Sequence, residues 1–258
     1  MDIFTYGQYR KLIEKMKKVN RIYTFKAIKD GTASGIILRH DIDFDIEKAY
    51  SFSKIEEEEN IRSSYFVLTT SDAYNPCSLK NRQLLKKMND AGFEIGLHFD
   101  PSIYEELNDE QLADKADTEC SILENITGDK IETVSLHCPS LHKRYPVFKK
   151  YKNAYAEEFF SPEFYISDSC KDFRGKDIFK FIEKGKEHLI QAVLHPIHFS
   201  ETETHYAGTF SNIIKNRIDT FDKSMRVNKT YSDEIGNRKL LCMFCDYINT
   251  CTDNKGDL

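Results

Sequence analysis

Short apolar runs closed by polar side chains alternate along this chain with stretches whose apolar residues recur every three or four positions. These are the periods of buried strands and amphipathic helices. Residues 36–45 predict a buried strand whose end carries Asp41, Asp43 and Asp45. Further strands are predicted at 64–70, 93–101, 133–136, 164–169 and 189–194, rich in β-branched, aromatic and leucine side chains. Helices fall between them. Tyr6, Tyr9, Ile13 and Met16 share a face before the first strand, and Ile46, Ala49, Tyr50 and Ser53 share one after Asp45, a predicted N-cap. This second helix ends in the acidic run 56–59, expected to be a solvated face. Ser78 is placed to cap a helix bearing Leu79, Leu84, Leu85 and Met88 that Gly92 stops. Asn108 and Gln111 have the spacing of a capping box for a helix with Leu112, Ala116, Cys120 and Leu123, closed by Gly128. Near the end, Ile214, Ile218, Phe221 and Met225 mark another helix. The region 141–162 carries no clear period, and the apolar run 240–245 suits a buried strand.

Strands alternating with helices predict an α/β fold, a mostly parallel sheet or barrel. One domain over 1–258 is expected, with a core at about 35–200 and helices from both ends packing on it. The 258 residues are 40% hydrophobic and 31% charged, a globular balance. A net charge of −5 leaves no electrostatic footprint for nucleic acid or an anionic membrane. No stretch reaches the ~18 apolar residues of a membrane span, and residues 1–10 hold no apolar leader core. Seven cysteines, an odd number without framework spacing, read as reduced thiols of a cytoplasmic protein.

The polar residues that close the strands define the candidate chemistry. Asp41 and Asp43, His98 and Asp100, His137, Asp168, then His195 and His198 all follow apolar runs. In parallel α/β barrels that edge is where sites are assembled from several strands. Asp41 and Asp43 point the same way on a strand and would repel without a positive partner. Imidazole with carboxylate suits zinc or another first-row divalent metal better than magnesium or calcium. Such a metal supports hydrolysis of an amide or ester, with Asp41 taking a proton from water and His195 giving one to the leaving amine.

In this order, His40-Asp41-Ile42-Asp43, Gly92-Phe93-Glu94-Ile95-Gly96-Leu97-His98, His137-Cys138-Pro139 and Val193-Leu194-His195-Pro196 resemble the motifs of the polysaccharide deacetylase superfamily. This is the NodB-homology or carbohydrate esterase 4 group. The motifs are more closely similar to its WbmS-like branch, associated with bacterial surface-polysaccharide biosynthesis. The resemblance covers residues 35–200 and implies a distorted (β/α)7 barrel and metal-dependent removal of an acetyl group from an N-acetylated sugar. It implies Asp41 as general base, Asp43 and His98 as metal ligands and His195 as general acid. Backbone N–H groups near Asp41 or the Tyr74-Asn75 turn would hold the oxyanion, and Tyr74, Asn75 and Asp168 are expected to face substrate.

The chain departs from the family where a second histidine should follow His98 by four residues, because Ser102 stands there. His137, in place of the arginine that orients the base in many members, is the expected third ligand, with Asp100 next. Two alternatives follow: a glycan-binding protein with a degenerate site, and a hydrolase of another C–N bond in a small metabolite. Tyr74, Tyr145, Phe199 and Tyr206 are candidates for stacking on a sugar ring. Cys242, Cys245 and Cys251 lack a partner half for a zinc site and read as structural. Lys143, Arg144, Lys149 and Lys150 read as surface charge.

Overall fold

In the computed structural model, which describes residues 3–253 and the last three of these by backbone alone, every strand pairs with its neighbours in parallel. The strands are β1 (Ile22–Tyr23), β2 (Gly35–Ile42), β3 (Ser64–Val67), β4 (Glu94–Phe99), β5 (Thr133–Leu136), β6 (Lys152–Asn153), β7 (Tyr165–Ser167) and β8 (Leu189–Leu194). Their order is β6-β5-β4-β3-β2-β8-β7, with β1 beside the lower half of β2. Helices α1 (Tyr6–Val19), α2 (Ile46–Glu58), α3 (Leu79–Asp90), α4 (Asp109–Thr127) and the short α5 (Pro139–His142) and α6 (Ile178–Phe181) intervene. The sheet curls on itself, because Arg39 of β2 reaches both Gln191 of β8 and Ser135 of β5. The result is the expected distorted (β/α)7 barrel, with no ladder joining β6 to β7 among the described residues.

The predicted caps form: Asp45, Ser78 and the Asn108–Gln111 box each close a helix start, and Gly128 ends α4 in the left-handed conformation. Strands β1 and β6 span two residues each, too few to show an alternating pattern, and were not predicted. Residues 3–203 form one compact unit that contains the barrel. Residues 204–253 form a second, built of α7 (Tyr206–Met225), α8 (Lys229–Ile235) and α9 (Leu240–Asp253), where the sequence led us to expect one domain. The run 240–245 opens α9 rather than forming a buried strand, since Leu240, Phe244, Tyr247 and Ile248 recur at helical spacing. Cys242 and Cys245 are exposed on it, and Cys251 lies outside the residues whose side chains are described. No described helix is long and apolar enough to cross a membrane.

The barrel is laid out along β2, all of whose residues are buried. Alternation sends Ile36, Leu38 and Ile42 outward into the cores beneath the helices, while Ile37 joins Phe25, Phe66 and Phe159 in the interior. Arg39 and Asp41 continue the inward row, so the interior grades from hydrocarbon to charge toward the C-terminal ends of the strands. Gly96 of β4 makes room for this filling: a Cβ there would stand 2.6 Å from Phe66 Cε1 and 2.7 Å from Thr133 Oγ1. His98 follows two residues later on the same face.

His40 lies on the outward row. Its Nδ1 is 3.0 Å from the Leu194 carbonyl, and its Nε2 is 2.7 Å from Glu56 Oε1. Glu56 corrects the expectation of a solvated acidic run, because it lies one turn after Phe52 on the buried face of α2 and is fully buried. Tyr9 also donates to Oε1, while Ser63 (2.6 Å) and Tyr65 (2.9 Å) donate to Oε2. This one carboxylate ties α1, α2, β2 and β3 together.

Candidate metal and catalytic site

Three strand ends converge at the rim. Asp43 stands just past β2, His98 near the end of β4 and His137 just past β5. Asp43 Oδ1 lies 3.2 Å from His98 Nε2 and 3.4 Å from His137 Nδ1, and the two nitrogens are 3.1 Å apart. These atoms all fall within 4.8 Å of one another. The other nitrogen of His98 is 3.2 Å from Ser135 Oγ, its cross-strand neighbour. Asp43 Oδ1 is buried and makes no hydrogen bond. An unsatisfied buried carboxylate oxygen is costly, and a cation among the three side chains would satisfy it. The donor set therefore fits zinc or a similar metal. Burial lowers the His137 pKa, but the adjoining Asp43 carboxylate overrides this and lifts it to about 11. Burial likewise pushes Asp43 up, yet the two adjoining imidazoles hold it well below the carboxylate range. The centre of the cluster attracts positive charge.

Asp41 points into the same space, with Oδ2 3.8 Å from His98 Nε2. Arg39, two residues earlier on the inward row, donates to it twice, from Nε to Oδ1 at 2.8 Å and from Nη2 to Oδ2 at 2.7 Å. Arg39 is itself fully buried and donates to Gln191 Oε1 at 2.8 Å and to Ser135. Its guanidinium lies 4.9 Å from the centre of the Tyr155 ring. Burial would raise the Asp41 pKa; the Arg39 charge more than reverses this, so the carboxyl stays ionised. The arginine, Gln191 and Ser135 were not foreseen. Their signal was present, since each is a polar residue inside an apolar strand.

Across the cluster, His195 Nε2 faces Asp43 Oδ2 at 3.7 Å. Its Nδ1 is 2.6 Å from Asp168 Oδ1, and the His195 backbone N–H also donates to that carboxylate at 3.0 Å. The second Asp168 oxygen is 3.0 Å from His198 Nδ1. Asp168 was expected to face substrate. Instead it is fully buried and committed to the two histidines, so it orients His195. Burial raises its pKa, but the histidine charge brings it down to about 2. Burial lowers His195, and the Asp168 charge and hydrogen bond raise it to about 9.

Other expected residues lie elsewhere. The Tyr74 hydroxyl donates to the Ile42 carbonyl at 2.6 Å and accepts from the Leu68 N–H at 2.9 Å, which braces the loop carrying Asp43. Asn75 Oδ1 accepts from the Cys77 N–H at 2.9 Å within its own turn. Asp100 is outside the cluster, accepting from the Ser102 N–H (2.9 Å) and hydroxyl (2.6 Å). Phe199 is buried among the rings of Phe4, Tyr9 and Phe52 rather than free to stack on a sugar. Tyr145 is 45% exposed beside Tyr155 and Phe160. Arg144 donates to the carbonyls of Pro101, Tyr104 and Leu107, a structural clamp.

No family model matches the chain. No curated protein matches it. Among solved structures it is similar to a carbohydrate esterase family 4 pseudoenzyme from Bacillus anthracis (12% identity over 72% of this chain and 60% of that one, TM-score 0.43). It is also similar to a polysaccharide deacetylase from Bacillus cereus (12%, 73% and 89%, TM-score 0.42). A third similar structure is PdaA of Bacillus subtilis, a family 4 carbohydrate esterase (16%, 81% and 82%, TM-score 0.41). This chain spans 60% of the length of the Bacillus anthracis protein.

Proposed function

We propose that this chain is a metal-dependent hydrolase that removes an N-acyl group, acetyl in the simplest case, from a sugar or sugar conjugate. Asp43, His98 and His137 are its metal ligands, Asp41 its general base and His195 its general acid. One observation carries the reading: the buried, unbonded Asp43 Oδ1 sits between two imidazoles. On either side of it stand a carboxylate held by an arginine and an imidazole held by a carboxylate. A divalent cation bound there, zinc for this donor set, would polarise the acyl carbonyl and acidify water. Arg39 fixes the Asp41 carboxylate in its ionised form, ready to accept a proton. Asp168 keeps the His195 Nδ1 proton in place, so that Nε2 carries the proton destined for the leaving amine. The raised pKa of His195, about 9, keeps it protonated at neutral pH, as a general acid requires. A role in surface-polysaccharide synthesis, and the narrower WbmS-like branch, are supported by the sequence motifs.

The test is metal content of protein purified without chelator, followed by release of acetate from N-acetylated sugars. About one transition metal per chain, with acetate release that Asp41→Asn abolishes while keeping the metal, is the expected result. Ammonia in place of acetate would move the substrate to another C–N bond. Absence of metal after reconstitution, with sugar binding untouched by Asp41→Asn, would leave a glycan-binding protein instead.

A further inference from the structure

We infer that Cys138 is a positioning residue for the ligand His137, so that metal affinity depends on a thiol exposed at the edge of the site. The inference rests on the metal reading above.

An imidazole that offers Nδ1 to a cation keeps its proton on Nε2, and the acceptor of that proton fixes the tautomer and the ring orientation. His137 turns Nδ1 toward Asp43 and His98. Its Nε2 lies 3.5 Å from Cys138 Sγ. His98 is arranged the same way with its nitrogens exchanged: Nε2 faces the centre, and Nδ1 is 3.2 Å from Ser135 Oγ. Each imidazole ligand thus has one outer partner, both supplied by β5 and the residues that follow it. The partners differ in access, since Ser135 is fully buried and Cys138 is exposed.

The backbone marks Cys138 as well. Its φ is 43° and ψ 41°, a left-handed conformation that disfavours any side chain, and Pro139 follows at the start of α5. The sulfur is outside the cluster of converging ligand atoms, which comprises Asp43, His98 and His137. Its place is behind the ligand rather than among the ligands. Alkylation of this sulfur adds bulk against His137 Nε2 and displaces the ring from the centre.

Zinc affinity is to be measured by chelator competition on wild type, Cys138→Ser and Cys138→Ala. The alanine variant is expected to bind about 10-fold or more weakly, and the serine variant, which keeps an acceptor, within about threefold of wild type. All three share the same backbone penalty, so the melting temperatures of the metal-free proteins are expected to coincide. If the alanine variant fails to fold, Cys138→Gly, relieved of the left-handed penalty, takes its place. N-ethylmaleimide adds the S–H across its double bond, forming a C–S bond and leaving the proton on carbon. It is expected to release zinc from wild type and not from Cys138→Ser. Equal affinity of alanine variant and wild type overturns the inference while leaving the metal reading intact. A sulfur-to-cobalt charge-transfer band that disappears in Cys138→Ala overturns it too, by making Cys138 a ligand. A wild type that binds no metal overturns both.

Discussion

His40 and Asp41 are adjacent on β2, and their side chains leave the strand on opposite faces into two buried networks that are completed in different ways. Outward, the two oxygens of Glu56 receive Tyr9, His40, Ser63 and Tyr65, so the carboxylate is saturated. Inward, Arg39 saturates its end of the row, but beyond it Asp43 keeps an oxygen that nothing donates to. Burial is similar on both faces, and charge is present on both. What separates a brace from a site is the leftover capacity: a network with every lone pair engaged has nothing to offer a ligand.

The most forceful way to break this contrast is Asp41→Asn. It is expected to lower turnover by about 10³-fold, about 4 kcal/mol of barrier, with metal content close to wild type. Initial rates of acetate release check this, and persistent activity would remove Asp41 from the role of base. On the outward face Glu56→Ala is expected to behave oppositely. It strands three hydroxyls and an imidazole, at a cost of about 3–5 kcal/mol in urea unfolding, while the folded fraction keeps its zinc affinity. A stable Glu56→Ala that had lost its metal would merge the two networks into one.

Two further variants sharpen the inward side. His137→Ala is expected to weaken zinc binding by more than the ~10–100-fold that loss of an outer partner brings, whereas Asp100→Ala leaves it unchanged. The reverse outcome in a chelator titration would restore Asp100 as third ligand. The smallest effect belongs to Asp168. Its pKa is depressed from the ordinary 3.8 to about 2, so the stability it contributes is complete above its ordinary value and is lost as pH falls toward about 2. His195 is raised from 6.5 to about 9, so its contribution is complete below its ordinary value and is lost as pH rises toward about 9. Asp168→Asn is therefore expected to cost about 2 kcal/mol, most of it between about pH 4 and 6.5, with the gap to wild type narrowing by about pH 9.5. Melting curves across that range decide it, and a gap independent of pH would mean that the pair is not ionised.

The sequence made the acids and histidines at the strand ends legible because each interrupts hydrocarbon at a place where a barrel opens. Asp43, His98 and His137 converge at the rim, with Asp41 and His195 beside them. Arg39 was hidden by its position within the run, although it shares a face with Asp41. Glu56 was hidden by its company, since three more acids follow it and only Phe52, one turn earlier, marks the buried face. Asp168 was misread for a different reason: period two tells which residues share a side of a strand but not which neighbour awaits there. Both sides of β2 are buried, so no hydropathy pattern separates inward from outward.

That same double burial fixes the alignment of the central strand. A slip of one residue along β2 would reverse every side chain, and the slip that puts Asp41 out against Glu56 would send His40 inward in the place of Arg39. Two acids would meet in a dry interior, and Glu56 would lose His40, one of the four groups arranged around it. The chemistry-bearing residues thus act as a registration key during folding: only the pairing that completes the brace also assembles the site.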